Sequence, residues 1–281
     1  MRTVKGVTAV VVAVTAVLGL PTMAVTAAAA PVPTCASTAE VYGVEPDGRL
    51  FVYRHTAPST GAANWSTKTY IGSGWADGYT LASGNGNFFH IDYATDTLRR
   101  YHWSGTGWDA VDGARQYQVI GHGFAMYTPN LIVDSSGNFF GIDAYGRMRY
   151  YAWDANTESW APGTEGGMYI GTGWGPTLNL VSGDNGIVYR RTWDNELYRY
   201  RYDSNTGTWP ETDSVGAGWW FDTSVSSGGG ALYTVGSGGN LYWYHYDVGN
   251  TTWANSGLPQ WIGQGWGDLQ QVLIDPSTCT G

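Results

Sequence analysis

Aromatic side chains are where this sequence concentrates its capacity for chemistry. Fifteen tryptophans and twenty tyrosines stand among 281 residues, together with 41 glycines. One aromatic set follows a glycine pair: IGSGW (Ile71 to Trp75), IGHGF (Ile120 to Phe124), IGTGW (Ile170 to Trp174), VGAGW (Val215 to Trp219) and IGQGW (Ile262 to Trp266). A second set is a lone tryptophan in turn-rich sequence, at Trp65, Trp108, Trp160, Trp209 and Trp253. A flat apolar face with a polar edge suits the C–H surface and hydroxyls of a sugar ring. Trp75, Phe124, Trp174, Trp219 and Trp266 are therefore candidate carbohydrate contacts, beside glycines that let backbone approach a ligand. The second set is a candidate site wall. A second role stands open for both, because an aromatic repeated once per unit also fills the space between packed units.

Other chemistries find less support. A glycosidase needs two carboxylates at a defined separation, and here the acidic residues are scattered with no single non-repeated pair. Gly-x-Ser-x-Gly, His-Glu-x-x-His and a nucleophilic cysteine are all missing from the sequence. His55, His90, His102, His122 and His245 lack metal-ligand spacing, and only Ser182 to Gly186 approaches an Asp-rich calcium loop. The expectation is no enzyme, no metal and no cofactor. Net charge is −9, which offers no electrostatic footprint for nucleic acid. Basic residues recur late in one strand of the repeat, at Arg54, His102, Arg201 and His245, either as donors to sugar hydroxyls or as solvated strand ends.

The elements that must position these aromatics follow from the repeat itself. The first glycines of the five Gly-x-Gly segments lie 49, 50, 45 and 47 residues apart. A second landmark keeps step: LFVYRH (Leu50 to His55), LRRYHW (Leu98 to Trp103), MRYYAW (Met148 to Trp153), LYRYRY (Leu197 to Tyr202) and LYWYHY (Leu241 to Tyr246). Its fourth residue is always tyrosine (Tyr53, Tyr101, Tyr151, Tyr200 and Tyr244), a fixed alternate position that reads as packing. Each unit has room for four short strands. Asp47-Gly48, Tyr145-Gly146, Asp194-Asn195 and Gly238-Gly239 carry hairpin chemistry, while the second unit has Thr95-Asp96-Thr97. Four-stranded units at this period match a β-propeller. The predicted fold is all-β, a five-bladed β-propeller of four-stranded antiparallel blades.

The two ends complete that picture. Residues 40–44 correspond to a second strand rather than an innermost one, and residues 269–274 supply the missing strand from the other terminus. The ring would thus be closed by N- and C-terminal strands sharing one blade. Cys35 and Cys279 flank those segments and are expected to pair in an oxidising compartment. Ahead of them, Arg2 and Lys5 precede an apolar run from Gly6 to Leu20, then Ala28-Ala29-Ala30. That pattern reads as a signal peptide over residues 1–30, too short and small-residue-rich for a membrane span. Residues 31–281 are expected to form a single secreted domain.

The Ile-Gly-x-Gly-Trp units and their earlier aromatics resemble the tachylectin-like lectins, five-bladed propellers that bind N-acetylated hexosamines. The resemblance covers about Cys35 to Cys279. It departs in a single residue between the two glycines, in Phe124 for tryptophan, and in keeping only Asn64-Trp65 of the family's Asp-Asn-Trp pattern. It implies a monomeric, extracellular, multivalent lectin for glycans of the N-acetylglucosamine or N-acetylgalactosamine type. It places pockets between neighbouring blades near the glycine loop, with Asn64 beside Trp65 as a further contact. A non-catalytic propeller serving as a protein-interaction platform is the alternative function.

Overall fold

The computed structural model describes residues 33–280, and the leader expected over residues 1–30 lies outside them. Short strands alternate with glycine turns throughout, and helical structure among the described residues is confined to two single 3-10 turns. No helix there is long and apolar enough to cross a membrane.

The strands assemble into small antiparallel sheets in a propeller-like arrangement. Sheet one runs Gln271–Ile274, Ala39–Val44, Leu50–His55, Thr69–Gly72. Sheet two runs Gly78–Ala82, Asn87–Asp92, Thr97–His102, Gln118–His122. Sheet three contains Leu131–Val133, Asn138–Ile142, Met148–Asp154 and Met168–Gly171, and sheet four Thr177–Ser182, Ile187–Thr192, Glu196–Asp203 and Thr208–Ala217. Sheet five is built on Thr223–Gly228, Ala231–Val235, Leu241–Asp247 and Gln260–Gly263. As the sequence predicts, sheet one borrows its first strand from the C-terminus, with Val41 opposite Ile274 and Val44 opposite Gln271.

Turn chemistry fixes each sheet. The tip between second and third strands carries a left-handed residue at Gly48, Asp96, Gly146, Asn195 and Gly239. Asp96 does in the second unit what glycine does in three others. The turn between first and second strands holds a tighter requirement, at Gly86, Gly137, Gly186 and Gly230. A Cβ there would lie 2.1–2.4 Å from a carbonyl oxygen of the third strand, so only glycine fits.

Packing occurs between sheets rather than in one central core. Each buried cluster draws on two neighbours: Val52 and Ile71 with Phe88, Leu98 with Phe139, Met148 with Val188, Leu197 with Leu232. The fifth joins Leu241 and Ile262 of sheet five to Val41 and Val272 of sheet one. The innermost strands leave a central cavity of about 290 Å³, lined by residues from all of them, including Thr80, Ile132, Asn179, Ser224 and Gln271.

Thr34–Cys35 and Cys279–Thr280 then lock onto sheet five. Cys35 pairs with Cys279 in an antiparallel ladder, Cys279 lies beside Gly228 of sheet five, and the two cysteines form a disulfide across 244 residues of sequence. The bond thus staples the seam where sheets one and five meet. Opening so long a loop gives the unfolded chain more freedom, and loss of such a disulfide typically costs about 2–5 kcal/mol. Replacing Cys35 and Cys279 together by serine is expected to lower the urea midpoint accordingly. An unchanged midpoint would show that the strand pairing alone holds the seam.

Candidate carbohydrate site

The aromatic sets of the sequence meet at every junction between sheets. The loop aromatic of one sheet packs on the constant tyrosine of the next: Trp75 on Tyr101, Phe124 on Tyr151, Trp174 on Tyr200, Trp219 on Tyr244 and Trp266 on Tyr53, with ring centroids 4.7–4.9 Å apart. The lone tryptophan of that next sheet completes a triad. Trp108, Trp160, Trp209, Trp253 and Trp65 lie 4.9–5.9 Å from the same loop aromatics. On its other side each lone tryptophan meets the last residue of the LFVYRH-type segment, His55, Trp103, Trp153, Tyr202 or Tyr246.

One hydrogen bond ties the triad to the preceding sheet. The indole N–H donates to the carbonyl just before the first loop glycine: Trp65 to Ile262 (2.6 Å), Trp108 to Ile71 (2.5 Å), Trp160 to Ile120 (2.7 Å), Trp209 to Ile170 (2.9 Å), and Trp253 to Val215. This accounts for the motif residue by residue. A Cβ on Gly72 would sit 3.0 Å from Trp75 Nε1 and 3.2 Å from Trp108 Nε1, and Gly171 and Gly216 are hemmed in by the matching indole pairs. The first glycine is the gap between two indole edges. The second, at Gly74, Gly123, Gly173, Gly218 and Gly265, has φ between 78° and 87° with nothing within 4 Å of a Cβ, so it serves the turn. The loop then anchors to its own hairpin tip, the Trp75, Trp174, Trp219 and Trp266 amides donating to Gly48, Gly146, Asn195 and Gly239.

The loop aromatics are accordingly buried, only 5–7% exposed, and their faces are covered by protein rather than open for stacking. What remains accessible is an edge. Nε1–H of Trp75, Trp174, Trp219 and Trp266 finds no acceptor among the described residues, yet it is not sealed as are those of Trp103, Trp153 and Trp243. The second-set tryptophans are half-buried and Asn64 is exposed beside Trp65. Burial pushes the Tyr244 phenol up to about 12 and that of Tyr101 in the same direction, so both remain neutral hydroxyls at physiological pH. Of the basic strand-end residues, Arg54 is held by Glu40, His102 by Asp109 and Arg201 by Glu211, while His245 is buried. Sequence reasoning missed the convergence of two indole edges on one glycine. Its signal was the strict coupling of Ile-Gly in one unit to tryptophan in the next.

Residues 43–278 match the tachylectin family. The chain belongs to the tachylectin family. No curated protein matches this tachylectin. Among solved structures it is similar to the SapL1 lectin in complex with alpha methyl fucoside, at 16% identity and a TM-score of 0.42 over 82% of this chain and 84% of that one. It is also similar to a chain of the nidogen/laminin complex, at 12% identity and a TM-score of 0.41 over 84% of each chain. A third similarity is to luciferin-regenerating enzyme, at 11% identity and a TM-score of 0.38, covering 88% of this tachylectin and 79% of that chain.

The repeated indole bond is open to test. In Trp209→Phe an aromatic ring remains, but the donor to Ile170 and part of the packed area are lost, at an expected cost of about 1–2 kcal/mol. Gly216→Ala should cost more, because its Cβ would lie 2.8 Å from Trp219 Nε1. Urea denaturation of both variants checks this order, and a neutral Gly216→Ala would contradict the packing described.

Proposed function

We propose that this tachylectin is a secreted, non-enzymatic, monomeric lectin, a five-bladed propeller that binds N-acetylhexosamine-containing glycans at several clefts between blades. The observation that carries this reading is the recurrence of an unpartnered indole N–H, at Trp75, Trp174, Trp219 and Trp266, beside exposed glycine loops with open space above them. A donor fixed in an aromatic wall, with backbone that lets a ring come close, suits a sugar hydroxyl or the carbonyl of an acetamido group. The lone tryptophans Trp65, Trp108, Trp160, Trp209 and Trp253, with Asn64 beside the first, would form the cleft walls. Membership of the tachylectin family supports the same conclusion. The blade count is supported by the cyclic order of the five inter-sheet clusters, the last returning to sheet one. Export is supported by the sequence of residues 1–30 and by the Cys35–Cys279 disulfide.

Shallow sites of this kind bind weakly one at a time, and several on one rigid frame gain by effective concentration on a target with many copies. Binding of this sort requires no cofactor. The second blade presents Phe124 in place of an indole and so lacks the donor. A protein-interaction platform is the alternative reading, favoured by exposed Tyr145 (81%), Trp193 (67%) and Trp220 (74%) on the third and fourth units without counterparts in the first.

A glycan array followed by isothermal titration separates the two. N-acetylglucosamine oligomers are expected to be retained. Trp75→Phe, Trp174→Phe, Trp219→Phe and Trp266→Phe keep an aromatic ring in the packing and delete the donor, each weakening its site about fivefold. The four together should abolish retention; because each change also shrinks a buried ring, the melting temperature should fall, and a cooperative melt with an unchanged far-UV spectrum is the control for folding. Unchanged affinity in the quadruple variant would remove the indole edges from the site, and an array with no retained glycan would leave the platform reading.

A further inference from the structure

Strand register places one residue of each sheet at the same point beneath a loop aromatic, opposite the second residue of the LFVYRH-type segment. The pairs are Gly43 with Phe51, His90 with Arg99, Gly141 with Arg149, Arg190 with Tyr198 and Thr234 with Tyr242. Two of these are glycine, Thr234 is fully buried, and His90 is buried in a setting that lowers its pKa and keeps it neutral. Arg190 alone is a permanent cation.

Its guanidinium stands 5.3 Å from the Trp174 ring centroid in the cleft between sheets three and four. Nε donates to Thr177 Oγ1 (2.8 Å) and one terminal nitrogen to the Gly173 carbonyl (3.2 Å), which fixes the fork at the cleft lip. The other terminal nitrogen has no acceptor among the described residues, and no carboxylate there pairs with the group. Asp194 is the acidic group whose carboxylate feels the Arg190 charge, and its oxygen is occupied by the Thr192 hydroxyl at 2.5 Å. Most described cations elsewhere are neutralised, as Lys68 is by Glu45 and Arg99 by Asp92; Arg191 has no carboxylate either, but it donates to the Trp219 carbonyl and its Nε is sealed from solvent, so it offers no free fork. Arg149 also lacks a carboxylate, but it gives its hydrogen bond to Gly167 and belongs to the junction where Phe124 offers no N–H. A half-buried guanidinium with no carboxylate in contact, in a chain of net charge −9, stands against the trend of the molecule.

We propose that the cleft between sheets three and four takes an acidic saccharide, whose carboxylate or sulfate docks on Arg190 while its ring meets the Trp174 N–H. The guanidinium fork matches either anion. This rests on the carbohydrate reading above and makes that one cleft chemically distinct from those at Trp75, Trp219 and Trp266.

The test is calorimetry of the full chain with three hexasaccharides: neutral chitohexaose, hyaluronan (uronate) and 6-sulfated chitohexaose. The parent should bind at least one acidic oligomer with an affinity that falls as sodium chloride rises. Arg190→Gln should weaken that binding about tenfold or more and flatten its salt dependence. Arg190→Lys, which keeps the charge without the fork, should fall between, and a thermal melt confirms that each variant is folded. Chitohexaose binding should persist in Arg190→Gln through the other three clefts. Chitohexaose bound without either acidic oligomer, or acidic binding unchanged in Arg190→Gln, overturns the proposal and leaves the lectin reading standing. No binding of any of the three overturns both.

Discussion

Everything in this molecule depends on joining sheets that share no ladder of strand hydrogen bonds with their neighbours and are linked along the chain only by loops. The indole N–H that crosses each junction does so, donating to the last carbonyl of the preceding sheet before its first loop glycine. A buried carbonyl left without a partner is costly, so the bond fixes the depth at which one sheet sits against the next. The stacked aromatics then supply the area. Edge and tilted contacts near 5 Å add to ordinary apolar burial, and the same geometry recurs five times because the same three residue types occupy the same register.

That constraint also decides which indole edges are left without a partner. The lone tryptophans spend their N–H groups on assembly. The loop tryptophans give their faces to packing and keep only an edge free. On the proposed function, structure and recognition are divided within a single aromatic triad, and at Gly72, Gly171 and Gly216 the first glycine is the gap that lets both indole edges come together. A side chain there would fill the gap and disturb assembly.

Much of the fold was legible in the sequence, and the reasons are physical. Even spacing of Ile-Gly-x-Gly-Trp and the in-step tyrosines identified the repeating unit. The mismatch between the first and last units pointed to the shared sheet, which the Val41–Ile274 pairing bears out, and the Cys35–Cys279 bond follows from it. Spacing was silent on which side of a tryptophan would be covered, since a wedge and a ligand platform share one periodicity. The register pairing that sets Arg190 under Trp174 was also hidden, because its equivalents include glycine, histidine and threonine and so leave no pattern. The docking of Cys279 beside Gly228 of sheet five, with Cys35 paired to it, had no sequence signal either.

The central claim is that four indole edges face ligand while five are committed to the frame. Indole N–H resonances of the fifteen tryptophans in a ¹H–¹⁵N spectrum test it directly. With N-acetylglucosamine oligomers added, the resonances of Trp75, Trp174, Trp219 and Trp266 should shift. Those of Trp65, Trp108, Trp160, Trp209 and Trp253 should exchange slowly with solvent and stay in place. Shifts confined to exposed Trp193, Trp220 and Trp261, or rapid exchange of the five bonded indoles, would contradict the account.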